Sequence, residues 1–122
     1  LTSTNTNQAL TAAQGKVLKD TLDTTVSSSF GVGQTWQDVT GSRAQSTNYV
    51  NNTGKTIFVN IYSTTSVDTY SEVTISVGGL IVGQNITPLR SSFKVAFACA
   101  PVPHGQTYSM SWVGTASIKE LR

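Results

Sequence analysis

Charge is scarce in this chain. Of its 122 residues, 8 are Lys or Arg and 6 are Asp or Glu, a charged share of 11%, where a soluble domain usually carries about a quarter. The basic residues are scattered and form no run, so nucleic acid has no electrostatic footprint to meet. Cys99 is the only cysteine, which excludes an intrachain disulfide. His104 is the only histidine and sits in a turn between Pro103 and Gly105. A triad or a metal centre needs partners at defined spacing, and the sequence offers it none. No apolar run approaches the roughly 18 residues of a membrane-spanning helix. Neither a signal-peptide pattern nor a phosphate-binding glycine fingerprint is present. Asp20 and Asp23 sit beside Lys16 and Lys19 as a solvated helix face rather than a carboxylate pair. The expectation is a protein with no enzymatic activity, no cofactor, no metal, no nucleic acid partner and no membrane insertion.

What the chain does hold is hydroxyl. Ser and Thr supply 34 of the 122 residues, and such lightly polar, β-branched sequence suits pleated strands. Period-two alternation is clear beyond residue 33. Ile57, Val59 and Ile61 alternate with Phe58, Asn60 and Tyr62; Val73, Ile75 and Val77 alternate with Glu72, Thr74 and Ser76. Phe93, Val95, Phe97 and Cys99 alternate with Ala96 and Ala98, which predicts a buried, inert Cys99 and small outward alanines fit for contact between protomers. Tyr108, Met110 and Trp112 complete the pattern. Further strands are expected over 34–39, 44–50, 80–84 and 117–121, giving about eight. Turn signals separate them at 51–54, at Gly78-Gly79, at 101–105 and at Gly114-Thr115. Short strands at this spacing argue a β-sandwich or barrel-like head. Core packing is the default role of Trp36, Phe58, Phe93, Phe97, Tyr108 and Trp112.

Ahead of the strands lies a helical segment. Thr11 followed by Gln14 is a capping box, and Ala13, Val17, Leu18 and Leu22, with Leu10 just before the cap, recur at helical spacing. A helix over 12–24 is marginal alone and Gly15 costs it about 1 kcal/mol relative to Ala. The stripe needs a partner, either the chain's own head or copies of itself. Residues 27–33 read as a hinge-like connection.

Residues 9–18, ALTAAQGKVL, resemble the short helical motif A-L-S/T-A-x-Q-G-K-x-L that recurs in bacteriophage tail fibres just before the distal domain. GVGQTWQDVTGSRA at 31–44, YVNNTGK at 49–55 and the closing ELR resemble the C-terminal head of many such fibres. The chain departs from that head where Ser117, Ile118 and Lys119 replace an expected Trp before Glu120. Residues 63–90 carry no matched block. The resemblance implies a homotrimeric fibre tip, located on the virion, that touches the host cell. Because the chain starts at Leu1 rather than Met, a fragment of a longer protein is expected.

Together these readings predict a mainly β protein. A β-sandwich head of about eight antiparallel strands, residues 34–122, follows a short N-terminal helix that forms a trimeric helical bundle within residues 1–33. Trimerisation is assigned to Leu10, Ala13, Val17, Leu18 and Leu22. The expected partners are two further copies, the rest of the fibre, and a bacterial receptor, either lipopolysaccharide or another glycan or an outer-membrane protein. The alternative is a structural cap with recognition elsewhere, and a phage-tail-like bacteriocin would use the same head. If strands run up and down, the turns at 51–55, 78–79 and 101–105 share the end near the shaft. The connections at 40–43, 63–71, 85–91 and 114–116 then share the free end. The longer loops of that end are the better binding surface, and Tyr70 pairs an aromatic face with neighbouring hydroxyl and carboxylate groups. Receptor contact is therefore expected at Thr65, Asp68, Tyr70, Asn85 and Arg90.

Overall fold

Thr11 and Gln14 cap each other at the start of the first helix. In the computed structural model, which describes residues 11–65, 69–88 and 94–122, the Thr11 amide donates to Gln14 Oε1 at 3.0 Å and the Gln14 amide donates to Thr11 Oγ1 at 3.2 Å. Helix α1 spans Ala12–Ser28. It runs past the end expected from sequence, and the hydroxyls of its last turns bond back to carbonyls one turn earlier. Thr24, Thr25 and Ser28 donate to the carbonyls of Asp20, Thr21 and Thr24 at 2.8–2.9 Å, which leaves those side chains no reason to seek water elsewhere. Lys16 pairs with Asp20 and Lys19 with Asp23, one turn apart. No residue of α1 is buried. Val17, Leu18, Leu22 and Val26 all stand exposed, so the apolar stripe does not lie on the chain's own head. Leu10 lies outside the described residues.

Beyond α1 the described chain is β structure: β1 (Trp36–Asp38), β2 (Tyr49–Val50), β3 (Ile57–Thr65), β4 (Ser71–Val77), β5 (Leu80–Thr87), β6 (Lys94–Val102), β7 (Thr107–Val113) and β8 (Thr115–Leu121), with a single 3₁₀ turn at Thr40–Ser42. They form two four-stranded antiparallel sheets, ordered β1-β8-β3-β6 and β2-β7-β4-β5. The core lies between them. Ile57, Val59 and Ile61 of β3, Ile118 of β8 and the small residues of β6 face Val73 and Ile75 of β4 and Tyr108 and Met110 of β7. Gly78-Gly79 closes the β4–β5 hairpin with both residues at positive φ, +59° and +82°, the twist a two-residue hairpin requires. Gly114 carries the chain from one sheet to the other at φ +102°, where a Cβ would stand 2.3 Å from the Thr64 carbonyl oxygen.

One strand faces the opposite way from the sequence expectation. Ala96, Ala98, Ala100 and Val102 of β6 are buried, while Phe97 is 61% exposed and Cys99 is exposed. Phe93 lies outside the described residues. Alternation identifies two faces without saying which is inner, and here size decides. Strand β5 passes so close over β6 that a Cβ at Gly83 would touch the Ala98 methyl at 3.4 Å. Only small side chains fit beneath it. Trp36 is also not in the core; it is 54% exposed. Trp112 is half-buried against the core as expected.

The 40–48 segment differs as well. It climbs the side of the sandwich from β8 to β7 instead of forming a free-end loop or a long strand. The Val39 amide donates to the Ile118 carbonyl at 2.9 Å and the Ser46 amide to the Met110 carbonyl at 2.8 Å. Ser46 itself sits at φ +56°, outside any strand geometry. Paired β structure is thereby cut to Tyr49–Val50.

Candidate functional site

Two ends of the sandwich differ in how they are finished. At one end the linker docks. Phe30 packs on Phe58 with ring centroids 5.0 Å apart, Gln34 Nε2 donates to the Thr56 and Leu121 carbonyls at 2.9 and 3.2 Å, and Lys55 donates to the Val32 carbonyl. The tight turns meet here. Asn51, fully buried, donates from Nδ2 to the carbonyls of Lys55 and Val102 at 2.7 and 2.8 Å. His104 Nδ1 accepts from the Gly54 amide at 3.1 Å. Both side chains serve to fix turns.

The far end is formed by the ends of β3 and β7 and the starts of β4 and β8. Ser63 Oγ donates to the Val113 carbonyl at 2.6 Å and Ser71 Oγ to the Ser63 carbonyl at 3.2 Å. On this frame Thr69, Tyr70, Pro88 and Thr115 are exposed. Thr65 is buried, paired with Lys94 at the end of β3. It supports this end from beneath and offers no surface. Asn85 is a strand residue of β5, half-buried opposite Val73, because β5 continues to Thr87 rather than ending in a loop. Asp68 and Arg90 lie outside the described residues. Tyr70 alone among the expected receptor contacts is a described, exposed residue of this end. On α1, Ala13, Val17 and Leu18 line one shallow apolar concavity with Gln14.

A third surface escaped the sequence reading. The outer face of the β1-β8-β3-β6 sheet carries Asp38, Lys119, Asn60 and Cys99 in one row across the strands, and Trp36, Leu121, Phe58 and Pro101 in the next. Trp36, Asn60 and Lys119 line a concavity of about 400 Å³. Hydrogen bonds from Thr40 hold the Asp38 carboxyl below its usual range, with nearby Lys119 adding to the effect. Desolvation pushes the Cys99 thiol up against an opposing hydrogen bond from Asn60, so Cys99 keeps its proton at neutral pH. The only sequence signal for this face was the parity of Asn60 and Lys119 opposite core residues. Trp36 belongs to a strand of three residues, too short to show a period.

Beneath that sheet, Glu120 is fully buried and completely engaged. Arg43 Nε and Nη2 donate to its two oxygens at 2.7 and 2.8 Å, Arg122 Nη1 donates at 3.0 Å, and the Tyr108 hydroxyl donates at 2.6 Å. Arg43 also lies 4.6 Å over the Tyr49 ring. Burial opposes the Arg43 charge, but the hydrogen bonds and charge of Glu120 outweigh it and raise its pKa. Burial, reinforced by Glu120, pushes Tyr108 up to about 12. This network clamps the 40s segment to the sandwich. Among the described residues no three His, Cys, Asp or Glu side chains gather as metal ligands.

Comparison with known proteins adds one match. Residues 1–30 fit the family model for phage tail fiber repeats, a span that takes in all of α1 and stops before the sandwich. No curated protein and no solved structure matches the chain. That match supports a phage tail fibre protein, and with it a place in the virion.

Proposed function

We propose that this chain is the distal part of its fibre and binds a receptor on the bacterial surface, lipopolysaccharide or another glycan or an outer-membrane protein. It acts by binding, without catalysis. Residues 1–33 trimerise and lead into a head formed by residues 34–122. The observation that carries the reading is polarity. The linker residues Phe30 and Gln34 dock at one end of the sandwich, and the exposed Tyr70 stands at the other. A head held by the first end presents the second to a cell. Loops on a rigid scaffold are where binding residues concentrate.

The trimer is supported by the stripe of Val17, Leu18, Leu22 and Val26, exposed along a helix with no buried residue. Three copies packed about an axis would bury it, and each Val or Leu side chain then contributes roughly 1.5–3 kcal/mol. The same stripe favours the second reading, a structural domain that trimerises and caps the fibre. Adsorption competition separates the two. Isolated protein added to cells should block virions if it binds the receptor. A purely structural cap would leave adsorption untouched.

A further inference from the structure

An exposed tryptophan on a flat sheet face, flanked by an amide and an ammonium group, has the chemistry of a sugar platform. We propose that the outer face of the β1-β8-β3-β6 sheet carries a subsite for a neutral pyranose, with Trp36 as the stacking plate and Asn60 and Lys119 as its hydrogen-bonding flanks. The inference rests on the attachment reading for its biological role, and goes beyond it in ligand class and in place.

Trp36 is 54% exposed, and indole offers the apolar C–H face of a pyranose a large, rigid surface with little conformational entropy to lose. Asn60 and Lys119 stand directly opposite each other in the β3–β8 pairing and line the same concavity as Trp36. Asn60 stands opposite Cys99 in the β3–β6 register, and its amide offers both donors and an acceptor. Lys119 adds donors and no acceptor. The depression is open and shallow, so a sugar would lie across it on the indole face and not be enclosed.

The charge of the ligand follows from the neighbour across the next pair. Asp38 faces Lys119 in the β1–β8 register, and Lys119 helps keep it ionised. Lys119 thus lines the concavity and Asp38 stands at its margin, opposite Lys119 on the neighbouring strand. An anionic sugar drawn to Lys119 would meet the Asp38 carboxylate beside it, whereas neutral hydroxyls can accept from one and donate to the other. The site lies on the flank of the sandwich, apart from Tyr70 at its free end.

The test is calorimetric titration of the whole chain with methyl glycosides and short oligosaccharides of glucose, galactose and mannose, with galacturonate as the anionic comparator. Binding of a neutral sugar is expected, with galacturonate weaker. Trp36→Ala should reduce affinity at least tenfold, Lys119→Ala at least threefold, and Trp36→Phe should retain most of it. Thermal melts of the variants should match the parent, and Lys119→Ala stands in for Trp36→Ala if the latter fails to fold. Absence of binding by every neutral sugar, or undiminished binding by Trp36→Ala, would overturn the subsite. So would shielding of Trp36 from acrylamide quenching in solution, which would show a second copy covering the face. If no neutral sugar binds, yet the parent and Trp36→Ala block virion adsorption equally, the subsite fails while the attachment reading stands. If neither blocks it, the attachment reading fails, and titration still decides the subsite.

Discussion

Arg43 reaches from the side of the sandwich to grip Glu120 with both ends of its guanidinium, Nε at 2.7 Å and Nη2 at 2.8 Å. The carboxylate is fully buried, and these donors, Arg122 and the Tyr108 hydroxyl together satisfy it. Removing one partner of such a pair typically costs about 3–5 kcal/mol. Glu120→Ala and Arg43→Ala should each lose stability in that range in urea titrations. Replacing both residues with apolar ones of similar volume should recover most of it. A loss below about 1 kcal/mol in either single variant would mean the clamp is incidental.

Tyr108 makes the same cluster sensitive to alkali. Its pKa rises from 10.0 to about 12 in the fold, so the folded state holds this proton more tightly than the unfolded chain. Its contribution to stability is complete below pH 10 and is lost as pH climbs from about 10 to 12, by up to roughly 2–3 kcal/mol. Tyr108→Phe should remove that part of the slope. Parallel stability–pH curves for variant and parent between pH 9 and 12 would contradict the assignment.

The exposed helix stripe makes a prediction about assembly. Val17→Asp and Leu22→Asp place carboxylates where apolar side chains stand exposed in the single chain. In a monomer both would be nearly silent, within about 0.5 kcal/mol. In a trimer they should shift light-scattering mass from three copies toward one and reduce helical circular dichroism, because a helix of 17 residues has little stability without packing. An unchanged monomeric mass for the parent protein at micromolar concentration would dispose of the trimer.

Tyr70 tests the free end. It is exposed and outside any strand, so Tyr70→Ala should leave the melting temperature nearly unchanged. Adsorption competition by the variant should fall at least tenfold. Full competition would move recognition to the flank of the head.

Most of the architecture could be read before any coordinates. The capping box, the β3 and β4 alternations and the Gly78-Gly79 turn each state a local preference that agrees with the whole, which is how a sequence specifies one fold. The failures are equally local. In β6 the alternation of large and small residues was read as large inward, yet the close approach of β5 at Gly83 leaves room only for alanine. Around Ser46, side-chain hydrogen bonds and a positive φ replace the strand that residues 44–50 suggested. For the candidate surfaces, Tyr70 was legible because an aromatic residue in a polar loop is unusual. Trp36 was not, since its exposure depends on lying at the sheet's β1 edge, and strand order is a long-range property that no local pattern encodes.

The amide of Thr35 donates to the Arg122 carbonyl at 3.0 Å and the amide of Arg122 donates back at 3.1 Å. The chain entering β1 and the chain leaving β8 are therefore tied side by side. A β unit whose entry and exit strands adjoin hangs from one point, so a pull on the stalk loads that paired edge and not the core.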